Sequence, residues 1–441
     1  MQLDEGRLQE QVQSALSLAK KLGATQAAVG LSIEQGVSVG VRLQEVETLE
    51  AQQDQGFGLT VYVGKRKGSA STSAITPAAI KETVHKAVKI ASFTIEDEFA
   101  GLADAERMAS EFHELDLYHP FTTSLPELIE RARECEYAAR AVDSRINNSE
   151  GSSINSTQAF SLYANTHGFM GQRLSTSHSQ SVSVIAEHEQ QMERDYWYSV
   201  ARDASDLTSP GEIGRIAGER TIKRLGAQKL TTRVAPVLFV PQMARGLFSS
   251  AISALSGSNQ YRQSSFLLKA QGQTVFPDFV NLRIEPHLPK GLGSADYDAE
   301  GVATYARDLV KDGVIMDYVL GSYFARKLGL RSTANAGGVQ NVKVSTSNFD
   351  QTALIQKMHT GLVVTELMGQ GVNPVTGDYS RGASGFWVEN GEIQYPVSEI
   401  TIASNLKDMY RQIVAIGNDV NTESSLLTGS VLLESMTIAG E

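Results

Sequence analysis

The sequence predicts an α+β protein, with an N-terminal α/β part of antiparallel sheets and flanking helices and a C-terminal, mostly antiparallel β domain with helices. Three observations predict this class: helical spacing of apolar residues near the N-terminus, period-two alternation directly after it, and a hairpin signal near residue 390. A chain of 441 residues is long enough for two or three domains. We predict an N-terminal α+β domain at 1–123, a central α+β segment packed with it at 124–230, and a C-terminal β-rich domain at 231–441.

The first predicted domain has a helix on each side of a group of strands. Residues 7–22 place their apolar side chains on one helical face. Residues 27–75 then alternate between apolar and polar side chains, as antiparallel strands do. Thr76 and Pro77 provide the N-cap and the first turn of a second helix. Helix, strands and helix together can bury one core, which favours an α+β unit.

The central segment repeats this plan. Ser124 and Glu127 have the spacing of a capping box, in which each residue satisfies a free amide of the other at a helix start. Alternating residues around 146–200 predict a second set of strands. Ser209 has the same relation to Glu212, so another helix is expected to begin there.

The C-terminal domain alternates less regularly. Residues 241–256 and 313–328 have helical spacing, so we predict a helix at each. Asn390 and Gly391 separate two short strand patterns. Because only such residues readily accept positive φ twice, they predict a type I′ hairpin.

Composition excludes several classes of protein. The chain has 39 basic and 50 acidic residues and a net charge of −11, so we expect no nucleic-acid partner. Its single cysteine excludes a disulfide framework and suits a reducing, cytoplasmic location. No apolar run approaches the 18 residues of a membrane span, and the N-terminus lacks the pattern of a secretory signal. We therefore expect a soluble, cytoplasmic protein without membrane contact.

The histidines form no recognisable metal motif in the sequence. His113 and His119 are six positions apart, which would separate them by about 120° on a helix, and Pro120 follows directly. His287 and His359 are isolated in the chain. Local spacing therefore predicts no three-ligand site.

A glycine-rich segment near the C-terminus shows a family resemblance. Residues 365–391 read TELMGQGVNPVTGDYSRGASGFWVENG, which closely resembles the PmbA (TldE) branch of the TldD/PmbA family. Residues 261–266 and 417–419 resemble further segments of that family. The resemblance extends over the whole chain.

The resemblance implies a heterodimeric zinc peptidase that acts on unfolded peptides. In this family the TldD-type subunit carries His-Glu-x-x-x-His on a helix and a late cysteine as third ligand, and the PmbA-type subunit lacks them. When Arg262 is matched to the arginine that follows the motif, the motif positions fall at Ser249, Ser250 and Ala254. The resemblance thus implies no catalytic residue and no metal ligand in this chain, with zinc held by a TldD-like partner.

The expected function is that of a non-catalytic subunit that helps to process or degrade unfolded peptides, with a homodimer as the state considered for the isolated chain. We expect the polar side chains of the long loop to line a peptide or partner surface: Asn373, Thr376, Asp378, Ser380 and Arg381. One alternative is a metallopeptidase active by itself as a homodimer, with ligands drawn from scattered histidines and carboxylates. Another is a non-enzymatic regulatory binding protein, as the older family name, modulator of DNA gyrase, suggests.

Overall fold

Three β-sheets organise the chain in the computed structural model, which describes residues 3–440. Antiparallel pairing dominates all three sheets, and helices cover them. The predicted α+β class with a β-rich C-terminal part is therefore confirmed. None of the helices within residues 3–440 combines the length and apolar character that a membrane crossing requires.

The N-terminal half contains ten of the main elements. In chain order they are α1 (Glu5–Lys21), β1 (Gln26–Arg42), β2 (Glu45–Val63), β3 (Arg66–Thr72), α2 (Pro77–Phe93), α3 (Leu125–Arg140), β4 (Asn148–Asn165), β5 (Met170–His188), β6 (Gln191–Ala201) and α4 (Pro210–Arg224). Several of their ends follow the predicted signals. Thr76 Oγ1 accepts a hydrogen bond from Ala79 N at 3.2 Å, and Glu127 Oε2 accepts one from Ser124 N at 2.8 Å.

The six strands form one antiparallel sheet, which we call the first sheet, in the order β3-β2-β1-β4-β5-β6. Strand β1 pairs with β2 on one side and with β4 on the other. The sheet therefore joins strands from both 1–123 and 124–230, and the division between these two stays a prediction.

Helices cover one face of the first sheet. Because strand side chains alternate between faces, the buried residues of β1 have odd numbers. Those from Ala27 to Ile33 pack with α1 and α2, and Val39 and Val41 pack with α3. Helix α4 lies close against α3, where a Cβ added to Gly214 would overlap the carbonyl of Cys135. The opposite face of the sheet is turned towards the C-terminal half.

The C-terminal half contains shorter elements. In chain order they are β7 (Arg233–Phe239), α5 (Pro241–Ala254), α6 (Gly257–Tyr261), β8 (Leu282–Glu285), β9 (Arg307–Lys311), β10 (Val314–Ile315), α7 (Ser322–Lys327), β11 (Asn341–Val344), α8 (Gln351–Met358), β12 (Gly361–Met368), β13 (Asp378–Glu389), β14 (Glu392–Asn405), α9 (Leu406–Arg411), β15 (Ile413–Ile416), β16 (Leu426–Leu427) and β17 (Val431–Ala439).

Five of these strands close into a ring, which we call the barrel. Strand β7 pairs with β12, β12 with β13, and β13 with β14. Strand β17 then joins β14 back to β7. A smaller sheet, β10-β9-β8-β11-β16, stands beside the barrel. Side chains of α5, the barrel and the smaller sheet share one apolar core, so α5 has a fixed position between the two sheets.

Two predictions for this half had different outcomes. The type I′ hairpin is confirmed, since Asn390 and Gly391 have φ values of 53° and 77° between β13 and β14. The predicted helix at 313–328 is wrong over its first part. Gly313 lies in a turn and Val314–Ile315 pairs with β9, so the helix is restricted to Ser322–Lys327. Strand pairing overrides the local helical spacing there.

Candidate functional site

Helix α5 follows β7 of the barrel directly and carries the positions where the resemblance would place a zinc motif. Pro241 lies in its first turn, where its missing amide hydrogen costs nothing. Leu247 and Phe248 are buried in the common core. Tyr410 of α9 donates a hydrogen bond from its hydroxyl to Leu247 O at 2.8 Å, which ties the helix to the end of the barrel.

The three motif positions present hydroxyl and methyl groups. Ser249 is exposed, and the half-buried Ser250 donates its hydroxyl hydrogen to Gly246 O at 2.9 Å. Ala254 is only 2% exposed. The structure thus buries Ala254 in the core, whereas Ser249 reaches the surface. A helix turns by about 100° per residue, so five positions rotate Ala254 well away from Ser249.

These residues do not fit a zinc ion. Zinc in proteins is bound by imidazole, thiolate or carboxylate groups, and Ser249, Ser250 and Ala254 provide none of them. Across residues 3–440, one group of three potential ligands lies close enough to share an ion, and α5 contributes no member of it.

The end of α5 is joined to the glycine-rich loop by a network of buried hydrogen bonds. Gln260 donates from Nε2 to Ala254 O at 2.8 Å and to Leu267 O at 3.0 Å, and its Oε1 accepts from Lys269 N at 3.0 Å. Ser265 also donates to Ala254 O at 2.7 Å. Sequence reasoning missed Gln260, because nothing in its local pattern distinguishes it from a surface glutamine.

The glycine-rich loop between β12 and β13 lies next to this network. Phe266 N donates to Pro374 O at 3.0 Å, so the residue after Ser265 holds the loop. The structure therefore places the predicted loop beside the C-terminal end of α5, although more than one hundred residues separate the two in sequence.

Three of the predicted loop residues stabilise the loop itself. Asn373 Oδ1 accepts from Val375 N at 2.9 Å. Thr376 Oγ1 donates to Asp378 Oδ2 at 2.6 Å, and Asn405 Nδ2 donates to Asp378 Oδ1 at 3.1 Å. These hydrogen bonds lower the pKa of Asp378 below its ordinary value, mainly through Thr376. The carboxylate is therefore charged at neutral pH on an exposed surface.

The other two predicted residues lie further along β13, which begins at Asp378. Ser380 is exposed, and Arg381 is half-buried beside Tyr379. Burial raises the pKa of Tyr379 to about 12, so its phenol stays neutral. The structure gathers all five predicted residues around one loop and strand, and their role in binding peptide or partner stays a prediction.

A second feature of interest is a cavity of about 660 Å³ between the first sheet and the C-terminal half. Its sheet side is the face without helices. The strand register places Ser32 opposite Ser161 and Ser161 opposite Arg173, forming one row across β1, β4 and β5. Loops at 292–299 and 336–340 complete the lining. Alternation of small polar residues along these strands is the signal that could have predicted this polar face.

Two arginines in this cavity have main-chain carbonyl partners. Arg173 Nη1 donates to Ser294 O at 3.3 Å, and Arg202 Nη2 donates to Leu292 O at 2.6 Å. Among the ion pairs within residues 3–440, neither has a carboxylate partner, and the buried Nε of Arg202 has no hydrogen-bond partner. Burial, together with the like charge of Arg173, lowers the pKa of Arg202. This part of the cavity therefore favours an anionic group.

An acid shares the same lining. Asp298 is 5% exposed, and burial raises its pKa to about 6. Its carboxylate accepts hydrogen bonds from the main-chain amides of Glu300, Val302 and Ala336, at 2.9, 3.0 and 2.9 Å. The charge of the cavity consequently becomes more positive as the pH falls through this value.

Comparison with known proteins bears on the identity of the chain. Models of the PmbA/TldA metallopeptidase family match it in three parts: domain 1 at 27–91, the central domain at 118–225 and the C-terminal domain at 232–440. The chain is 49% identical over 436 residues to metalloprotease PmbA of Escherichia coli O157:H7, covering 98% of this chain and 96% of that protein. It is 44% identical to the metalloprotease PmbA homolog of Haemophilus influenzae, covering 100% and 98%.

Solved structures agree with these relatives. A candidate modulator of DNA gyrase from Bacteroides thetaiotaomicron superimposes with a TM-score of 0.94 at 30% identity, covering 100% of both chains. TldE from Thermococcus kodakarensis has a TM-score of 0.87 at 19% identity over 98% of this chain and 100% of TldE, which shows a shared fold. The resemblance seen in the glycine-rich segment is thus confirmed, and the chain belongs to the PmbA/TldD metallopeptidase family.

Proposed function

We propose that this chain is the non-catalytic subunit of a heterodimeric, TldD/TldE-type zinc metallopeptidase that processes or degrades unfolded peptides in the cytoplasm. The observation that carries the proposal is the chemistry of helix α5. Its motif positions hold Ser249, Ser250 and Ala254, which can neither bind zinc nor act as a general base. The catalytic zinc and the base are then contributed by a TldD-like partner.

The role of this chain is to shape the peptide-binding chamber. Helix α5 has a fixed position in a common apolar core, so its exposed side gives the partner a rigid surface. The cavity beside the first sheet offers small hydroxyl side chains and an electropositive end at Arg173 and Arg202. Such a lining accommodates extended peptides and their carboxylates without selecting strongly for side chains. A folded protein would have to unfold before it could enter.

The experiment that tests this proposal compares peptide hydrolysis by the purified chain, by a TldD-like subunit and by their mixture. We expect hydrolysis of an unstructured peptide only when the TldD-like subunit is present, with the highest rate in the mixture. A metal chelator should abolish it. Strong hydrolysis by this chain alone, with zinc added, would instead establish the self-sufficient homodimeric enzyme. Binding of the two chains without any gain in hydrolysis would support a regulatory binding protein.

The loop between β12 and β13 gives a more local test. We propose that Asn373, Thr376, Asp378, Ser380 and Arg381 form part of the peptide or partner surface. Replacement of the exposed Ser380 by tyrosine should block close approach and reduce hydrolysis by the mixture at least tenfold. Asp54→Tyr, an exposed position in β2 of the first sheet, is the matched control and should leave the rate unchanged. Equal rates for both variants would remove β13 from the proposed surface.

A further inference from the structure

A cluster of two histidines and an aspartate forms where two distant segments meet, one carrying His113 and the other carrying both His287 and Asp296. His113 Nδ1 lies 2.8 Å from Asp296 Oδ1, and the imidazoles of His113 and His287 stack with ring centroids 3.8 Å apart. One potential ligand atom from each of the three residues lies within 4.8 Å of the others. His287 and Asp296 lie in the same connection between β8 and β9, and only the fold brings His113 to them.

The segment that carries His113 runs across both halves of the molecule. We call residues 105–119 the strap. On one side, Ala109 N donates to Gly301 O at 3.0 Å, and Lys290 N donates to Leu115 O at 2.8 Å. On the other side, Thr176 N of the first sheet donates to Leu117 O at 2.9 Å. An ion shared by the cluster would therefore link the strap to the C-terminal half.

Neighbouring hydrogen bonds select the tautomer of His287. Thr304 Oγ1 donates its hydrogen to Ala295 O at 2.5 Å, so it can only accept from His287 Nε2, which lies 3.0 Å away. His287 consequently carries its proton on Nε2 and has a free lone pair on Nδ1. Metal-binding histidines are held in this way, with the second ring nitrogen donating to a fixed oxygen.

An ion would require the cluster to open. The stacked rings, now 3.8 Å apart, would separate by about an ångström, because two imidazoles bound tetrahedrally to one ion have centroids roughly 5 Å apart. Bonds of about 2.0–2.2 Å to imidazole nitrogen and carboxylate oxygen place tetrahedral ligand atoms roughly 3.3–3.5 Å apart. The His113–Asp296 contact of 2.8 Å would open by about half an ångström, with the ion replacing the shared proton. The side chain of Asp296 is 13% exposed and that of His113 is 46% exposed, so a solvated ion can reach the cluster.

A cavity of about 430 Å³ adjoins the cluster and is lined by His113 and Asp296. Its other charged side chains are Asp116 and Arg173, so the lining has a net charge of −1 with histidine neutral (one guanidinium against two carboxylates). The cavity leaves room for water as a fourth ligand, as in zinc sites with three protein ligands.

We propose that His113, His287 and Asp296 bind one divalent transition-metal ion, of the zinc class, at the junction of the strap and the C-terminal half. Two imidazoles and one carboxylate form a ligand set that suits Zn²⁺ and disfavours Mg²⁺ or Ca²⁺, which prefer all-oxygen sites. The site is separate from helix α5. It amends the expectation that this chain binds no metal, while leaving the catalytic zinc of the proposed function in the partner.

The test is titration of the purified full chain with Zn²⁺ after chelation and dialysis. We expect saturable binding of about one ion per chain and a higher melting temperature when Zn²⁺ is added. His113→Ala, His287→Ala and Asp296→Asn should each weaken binding at least about 100-fold, since even loss of a supporting group costs 10–100-fold. His85→Ala, an exposed histidine on α2, is the matched control and should bind like the unaltered chain.

Two further measurements protect the test against misfolded variants. The partly exposed His113 should tolerate replacement, which circular dichroism will check. Co²⁺ added to the unaltered chain should give the visible absorption of a four-coordinate ion, and His113→Ala should abolish it. Binding that never saturates, or that is unchanged in His113→Ala and His287→Ala, would overturn the proposal. That failure would leave the proposed function standing, because partner-dependent hydrolysis is measured separately.

Discussion

The first sheet and the barrel are stabilised in different ways. In the first sheet, β1, β2, β4 and β5 are 17–19 residues long. Alternation along most of β1, β4 and β5 assigns side chains in turn to the two faces of the sheet, whereas the first part of β2 is exposed. The barrel half has shorter strands joined by long loops, and buried polar side chains hold those loops in place. Gln260, Asp298 and Asn341 are examples. Regular burial therefore shapes one half, whereas a few hydrogen-bonding side chains shape the other.

The largest effect is expected where a single polar side chain holds several main-chain groups. Gln260→Ala leaves Leu267 O and Lys269 N without these partners. Since each buried unsatisfied group costs 1–3 kcal/mol, the free energy of unfolding should fall by about 4 kcal/mol. Urea denaturation measures it. The control is Asn259→Ala on the same short helix, whose exposed amide donates only to Ser253 O, and it should cost about 1 kcal/mol or less.

In the first half, a methyl group added between two packed helices should test how much their close contact contributes to stability. Gly214→Ala places a methyl group against the carbonyl of Cys135 and should lower the free energy of unfolding by about 3 kcal/mol through overpacking of α4 on α3. In Gly211→Ala, in the first turn of the same helix, the new methyl group has ordinary contacts. That variant should be neutral or up to about 1 kcal/mol more stable. Equal losses in both would show that helix packing is not responsible.

The pH dependence of stability should reveal the contribution of Asp298, the buried acid of the C-terminal half. Because the pKa of Asp298 is raised to about 6, its neutral form is favoured in the folded state, and stability is lost as the pH rises from 4 to 7. Between these values the unaltered chain should lose about 2 kcal/mol relative to Asp298→Asn. Denaturation at several pH values measures the difference. Parallel profiles would contradict it, and Asp278→Asn, at an exposed site, should give no such change.

The smallest effect is expected in the rate at which a buried thiol becomes labelled, which reports local opening of the fold. Cys135 is the only cysteine of the chain, and it is fully buried on α3. Burial raises its pKa to about 12, so thiol reagents should react slowly with the native protein. Gly214→Ala should accelerate labelling, whereas Gln260→Ala should not if the halves open separately. Comparable acceleration by both variants would mean that the halves open as one cooperative unit.

Much of the first half could be predicted from the sequence because its determinants are local. Apolar alternation, the N-cap at Thr76 and the capping box at Ser124 act within a few residues of the elements they specify. In the C-terminal half, the hairpin at Asn390 and Gly391 could be predicted equally well, because tolerance of positive φ is a property of these residues themselves. The misassigned helix at 313–328 shows the limit, because strand pairing with β9 decides its first part.

How well the candidate sites could be predicted also depended on whether their determinants are local or distant in sequence. The glycine-rich segment and the vacant positions Ser249, Ser250 and Ala254 could be located through family resemblance. Burial of Ala254 could not, because the smaller sheet and the barrel that cover α5 come from distant parts of the chain. His113 and Asp296 are 183 positions apart, so no spacing rule connects them. Only the fold brings their side chains together.

Closure of the barrel also sets an order on biosynthesis. The last strand of the first sheet ends at Ala201, so that sheet has all its strands when less than half of the chain has been made. The barrel closes through residues 401–403 of β14 and 437–439 of β17. Domains generally form as units during translation, beginning at the N-terminus. The barrel must therefore stay open beside α5 until the ribosome has released the end of β17.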